Sequence, residues 1–138
     1  YGLFLGLAEV TQCRVGALGD FLFPAGNYLY VGSAWGPGGL RARVGRHLRG
    51  TGKPRWHIDY LRRVADPVAI WLAPDAHWEC QWAAHLIEHP RARIVVPQFG
   101  ASDCRCAAHL FRLLDSLRAY ALPGAQLFWE ASEPSRKL

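Results

Sequence analysis

Apolar residues alternate along the start of the chain. Leu3, Leu5 and Leu7 share one face with Tyr1, which predicts a strand over residues 1–7. After a polar turn, Cys13 to Leu18 reads as a second short strand closed by Gly19-Asp20, and Phe21 to Phe23 is apolar again. Pro24-Ala25-Gly26 makes a turn, and Asn27 to Ser33 is a third strand with Tyr28 and Tyr30 on one face. Turns this close favour an antiparallel meander, because parallel pairs need a long crossover.

At Leu40 the period changes from two to that of a helix. A glycine-rich turn, Trp35 to Gly39, precedes LRARVGRHLRG, in which Leu40, Val44 and Leu48 form the buried stripe. On the same wheel Arg43 and His47 border that stripe, Arg41, Arg46 and Arg49 point outward, and Gly50-Thr51-Gly52 stops the helix. Trp56 to Arg63 predicts a second short helix with Arg62 on its outer side. Val68 to Leu72 predicts a buried strand or extended core segment. Asp75 can cap a helix reaching about His89, with Trp78, Trp82, His85 and Leu86 along its apolar line. Glu79 borders that line and Glu88 lies on the far side. Ile94 to Val96 is a short extended run, and QFGASDCRC is a loop. Ala107 to Leu122 predicts a helix in its later part, Leu127 to Trp129 an edge segment, and Ser135 to Leu138 a frayed tail.

Composition narrows the class. At 138 residues with 51% hydrophobic content, the chain suits a single domain spanning residues 1–138 with a real core. No apolar run is long enough to span a membrane, and the first residues lack the pattern of a signal peptide, so the expected compartment is the cytoplasm. The net charge is +5, carried almost wholly by arginine because Lys53 and Lys137 are the only lysines. Arginine forks match phosphate bidentately, so the expected partner is nucleic acid or another polyanion; an arginine-for-lysine compositional bias is the alternative. Of the four cysteines, Cys104 and Cys106 with His109 offer three soft ligands and Cys80 a distant fourth. A single C-x-C is not the two-pair pattern of structural zinc, so the expectation is small buried thiols.

The stretch Asn27 to His47 carries the chemistry. Backbone N–H groups of a glycine-rich turn at a helix start attract anions, Gly38 and Gly39 among them, and Arg43 can reach an anion from the helix. A tyrosine at a cationic site loses its proton more easily than in water and can serve as a base. The same residues also suit a core strand anchored by a tight turn, and G-P-G-G lacks the Lys-Ser/Thr of a phosphate-binding loop. In WHIDYL, His57 can donate to phosphate or to a leaving oxygen, or can simply fix the loop; Asp59 is an exposed acid or the partner of an arginine. Trp35 beside the arginines can stack on an unpaired base or pack beneath the turn.

Tyr1 before the L-x-L strand, then Tyr30-Val31-Gly32-Ser33-Ala34, then Arg43 with His47 four residues on, resembles the GIY-YIG nuclease domain. The longer match, FPAGNYLYVGSAWGPGGLRARVGRHLR followed by WHIDYL and FGASDCRC, is similar to a branch of that family sometimes fused to endonuclease III. The resemblance implies a small α+β domain, a central three-stranded antiparallel sheet flanked by helices, and one divalent metal, Mg²⁺ or Mn²⁺. It implies hydrolysis of DNA phosphodiester bonds by water attack, in DNA repair or processing, with a repair enzyme or other targeting domain as partner in trans. Tyr30 and Tyr1 would be the tyrosines of the two triads, Arg43 the clamp on phosphorane charge, His47 a helper, His57 a further catalytic candidate and Glu79 the metal ligand. Gly32, Ser33, Gly38, Gly39 and Arg46 would bind the phosphate backbone. The sequence departs from the family's pattern in having no Gly-Ile before Tyr1 and no late Asn, for which Ser102 and Asp103 are the candidate replacements. The alternative function is a non-catalytic nucleic-acid-binding module of the same fold.

Overall fold

A computed structural model describes residues 1–34, 38–73, 78–120 and 122–131. The expectations placed on Trp35, Asp75 and the tail from Ser135 lie outside the described residues.

The fold is a small mixed α+β domain around an antiparallel sheet. Its strands are β1 (Gly2–Leu7), β4 (Gly26–Val31), β5 (Asp66–Leu72), β6 (Ala92–Arg93), β7 (Leu110–Leu113) and β8 (Gln126–Glu130), in the order β6-β7-β4-β1-β5-β8. The sheet therefore has six strands rather than three. The additional strands come from segments late in the chain that reach both sides of the β1–β4–β5 centre. The meander is corrected too. β2 (Thr11–Arg14) and β3 (Asp20–Phe23) form a separate two-stranded hairpin, so β1 pairs directly with β4, Leu3 opposite Tyr30 and Leu5 opposite Tyr28. Residues 16–18, expected to continue a strand, make a short 3-10 turn.

Alternation along β1 sorts the core into two layers. Tyr1, Leu3, Leu5 and Leu7 pack on one face with Tyr28, Tyr30, Val44, Ile58 and Leu61, beneath helices α1 (Gly39–Arg49) and α2 (His57–Arg62). Phe4, Leu29, Val31, Phe111 and Leu113 pack on the other with Trp82, Ala83 and Leu86 of α3 (Glu79–Ile87). β7 occupies the earlier part of Ala107 to Leu122, for which no element was predicted, and the helix expected in the later part is only a 3-10 turn at Leu117–Ala119. Leu110 feeds the first layer while Phe111 and Leu113 feed the second, so a run that is apolar on both faces is an interior strand. Pro67 sits in β5 beside a register shift in its pairing with β1, the kind of position that tolerates a missing N–H. β8 occupies the sheet edge, as the late apolar segment predicted.

Two helix-face expectations change. His85 is exposed, and Trp82, Ala83 and Leu86 carry the buried side of α3. Arg62 turns inward: its guanidinium donates to the carbonyls of His47 (2.7 Å) and Leu48 (3.1 Å) and so closes the C-terminal end of α1. No helix among the described residues is long and apolar enough to cross a membrane.

Candidate functional site

β4 ends at Val31, and the residues just beyond it open one side of a cavity of about 330 Å³. Tyr30 and Ser33 enter it from this strand end, Arg43 from α1, Trp56 and His57 from the start of α2, and Glu79 from the start of α3; Gly100, Ser102 and Asp103 enter from the loop before β7. Arg55 completes the lining; neither it nor its neighbour Trp56 is a candidate site residue by sequence.

Each side chain is held by local chemistry. Arg43 Nη1 donates to the Ser33 carbonyl at 2.7 Å, and its guanidinium lies 4.0 Å from the centre of the Trp56 ring. This pairing fixes the arginine while leaving further N–H donors for an anion. His57 Nδ1 accepts the Gly100 N–H at 2.7 Å, and burial lowers its pKa. A neutral imidazole that accepts at Nδ1 carries its proton on Nε2, so His57 is a donor rather than a base.

Glu79 is partly buried, with its side chain 26% exposed. Burial, then the nearby Asp103 carboxylate, pushes its carboxyl up, while the Ser33 backbone N–H and Arg43 oppose that shift. Two neighbouring carboxylates are a hard oxygen donor set. Tyr30 is 6% exposed; burial and Glu79 push its phenol up, with Arg43 working against them.

Tyr1 and His47 lie beneath the cavity and do not line it. The Tyr1 hydroxyl bonds His47 Nε2, and the two rings pack at 5.2 Å. His47 is 1% exposed, not at the border of the stripe. Burial lowers its pKa to about 4 and raises that of Tyr1. The phenol therefore donates, and His47 Nδ1 carries a buried proton without a partner. Their rings each lie 6.2 Å from that of Tyr30, and both face the Arg43 guanidinium.

Among the residues expected to bind phosphate, only Ser33 lines the cavity. Gly32 is matched to Tyr1: a Cβ there would lie 2.5 Å from the ring's Cζ. Gly38 and Gly39 open α1 with φ of 84° and 60°, and a Cβ on Gly38 would meet that of Ala42 at 2.5 Å. Their role in the fold is the turn into the helix. Arg46 is tied inward to Asp59 at 3.0 Å and to the Lys53 carbonyl at 2.7 Å, so it does not point outward as a free cation. Asp59 also accepts the backbone N–H groups of Arg55 and Trp56. Burial alone would raise its carboxyl, but Arg46 and these two N–H groups hold it below the usual range. Tyr28, on the same face as Tyr30, donates instead to the Pro24 carbonyl, and burial pushes it up to about 12.

Beside Glu79, the structure brings together Cys80, Cys104, Cys106 and His109. The expectation of small buried thiols does not hold: Cys80 is exposed at the start of α3, and Cys13, Cys104 and Cys106 are only half-buried. The loop residues Gly100, Ser102 and Asp103 were legible only through the FGASDCRC stretch, since no local periodicity marks them.

No curated protein and no solved structure matches the chain. A family's sequence model spans residues 1–123, most of the molecule, and includes every residue that lines the cavity. The chain belongs to the family described as Domain of unknown function DUF123.

Proposed function

We propose that this protein is a metal-dependent nuclease of the GIY-YIG type that hydrolyses DNA phosphodiester bonds, acting in repair or processing with a targeting partner. The observation that carries the reading is the convergence of Tyr30, Arg43 and Glu79, from three separate elements, on one cavity. Glu79, with Asp103 beside it, offers the oxygen donors that a hard divalent ion such as Mg²⁺ or Mn²⁺ requires. Such an ion supplies Lewis-acid charge and a more acidic water.

The chain's own groups then divide the work. Arg43, oriented by Ser33 and Trp56, meets negative charge developing on phosphorus. His57 presents Nε2–H to a phosphate or leaving oxygen. Tyr30 is the base candidate. Since burial and then the Glu79 carboxylate push its phenol up, neutralising that carboxylate is the change that lets the phenol lose its proton more easily and so act as the base. The net charge of +5 favours a polyanion, so binding should weaken steeply with salt as counterion release is lost.

One observation favours the binding-only reading: Tyr30 is buried beside Glu79, and burial and that carboxylate both push its phenol up, against the loss of its proton. The test is cleavage of supercoiled, branched and single-stranded DNA with Mg²⁺ or Mn²⁺, beside Arg43→Ala and Glu79→Ala. Each substitution is expected to lower the rate by about 10²-fold or more while DNA binding persists. Binding without cleavage under every metal would leave the nucleic-acid-binding module in its place.

A further inference from the structure

Cys80, Cys104, Cys106 and His109 come from three places in the chain: the first turn of α3, the irregular loop after Val96, and the residue that leads into β7. Their ligand atoms all lie within 4.8 Å of one another. Around a tetrahedral zinc, with Zn–S about 2.3 Å and Zn–N about 2.0 Å, neighbouring ligand atoms stand about 3.5–3.8 Å apart. The Sγ atoms of Cys104 and Cys80 are 3.4 and 3.9 Å from His109 Nε2, on either side of that spacing.

The imidazole gives an independent sign. His109 is 0% exposed, its Nε2 faces the sulfurs, and its Nδ1 has no hydrogen-bond partner. That Nδ1 lies 3.6 Å from Glu79 Oε2. One ring nitrogen among thiols and the other toward a carboxylate is the arrangement of a metal-bound histidine with its outer carboxylate. Hydrophobic burial does not account for the cluster, because Cys80 is exposed and Cys104 and Cys106 are only half-buried. Nor do disulfides, since all four cysteines are free. The loop also needs fastening: from residue 97 to 108 it contains neither helix nor strand, yet it carries Gly100, Ser102 and Asp103 of the cavity wall.

We infer that Cys80, Cys104, Cys106 and His109 form a structural Cys₃His zinc site that fastens this loop to the start of α3. Three thiols release their protons to solvent and bind as thiolates, and neutral His109 binds through Nε2. Four protein ligands close the tetrahedron and leave no position for a reacting water, so the ion shapes the fold rather than performing chemistry. The site borders Glu79 but does not depend on the nuclease reading, because zinc binding is measured without DNA or Mg²⁺.

The test is metal analysis of the protein purified under reducing conditions, followed by Co²⁺ titration of metal-stripped chain. The expected result is one zinc per chain and, with cobalt, the intense visible band of a tetrahedral thiolate complex, bleached when zinc is added. Cys106→Ser and His109→Ala should lose retained zinc, whereas His109→Cys, which rebuilds a four-ligand site, should keep it. Chelation should lower the Tm of the wild type. If the serine and alanine variants do not fold, the wild-type zinc content and cobalt spectrum decide the matter alone. A reduced wild-type chain with no zinc and no cobalt band would overturn the site, and bound iron or a disulfide among these cysteines would overturn its assignment to zinc.

Discussion

Gly32 sits opposite Tyr1, whose backbone nitrogen donates to the Gly32 carbonyl at 2.8 Å while the Gly32 N–H returns a bond of 2.9 Å. A methyl group at position 32 would lie 2.5 Å from Cζ, 2.6 Å from Oη and 2.9 Å from Cε1 of the Tyr1 ring. Ordinary carbon contacts are about 3.5–4.0 Å, so the ring must move by about 1 Å. It has little room. Tyr1 is 6% exposed, and its hydroxyl is bonded to the buried His47. Overpacking of this kind costs about 1–3 kcal/mol, and loss of a buried hydrogen bond adds about 1–3 kcal/mol. Because the ring relieves one strain by incurring the other, Gly32→Ala should destabilise the protein by roughly 2–4 kcal/mol. At about 4 °C per kcal/mol for a chain of this size, that is a fall in Tm of roughly 8–16 °C. Gly32 is not among the glycines with positive φ, so alanine adds no backbone strain to this figure. Thermal unfolding by circular dichroism would be measured for wild type, Gly32→Ala, Tyr1→Ala and the double variant. If the clash with Tyr1 is the cause, Gly32→Ala becomes nearly neutral once Tyr1 is alanine. Additive losses in that cycle, or a Gly32→Ala protein melting within about 2 °C of wild type, would refute the reasoning.

Asp59→Asn should cost about 1–3 kcal/mol at neutral pH by weakening the tie to Arg46. Because the folded carboxyl is held low, the Asp59 contribution is present above about pH 4 and lost as pH falls through its folded value, so urea midpoints of the two proteins should converge in acid. His47 gives an acid-side dependence at higher pH. Its folded value of about 4 lies below the ordinary 6.5, so the unfolded chain takes up the proton first and stability falls between those values. His47→Gln should flatten that part of the pH profile; equal slopes in the two proteins would show that His47 does not titrate this way. His57→Asn keeps an acceptor for the Gly100 N–H but removes Nε2–H, so Tm should hold while cleavage falls by about 10²-fold or more, whereas a lower Tm with unchanged cleavage would assign His57 to the loop alone.

What was legible in the sequence was what repeats over a few residues. Period-two alternation marked β1 and most of β4, and the change to helical period, bounded by Gly39 and Gly50, marked α1 almost to the residue. β7 was not legible because Leu110 to Leu113 is apolar on both faces, and such a run has no alternation to separate an interior strand from a buried helix. The wheel of α1 placed His47 at the edge of a stripe. It could not show that Tyr1 and Tyr30 close over that edge and bury the ring. Arg46 and Arg62 looked like solvent-facing cations for the same reason, since their partners, Asp59 and the end of α1, lie outside the helix turn that carries each of them.

The sequence by itself determined the strands and helices whose burial repeats locally, the excess of arginine, and the residue types able to do phosphate chemistry. Tertiary structure alone decided the count and order of strands, and which distant side chains meet. Local preferences act between residues two to four apart, whereas Glu79 joins Tyr30 and Arg43, and Cys80 joins Cys104, Cys106 and His109, only after the sheet has paired and both of its faces are covered.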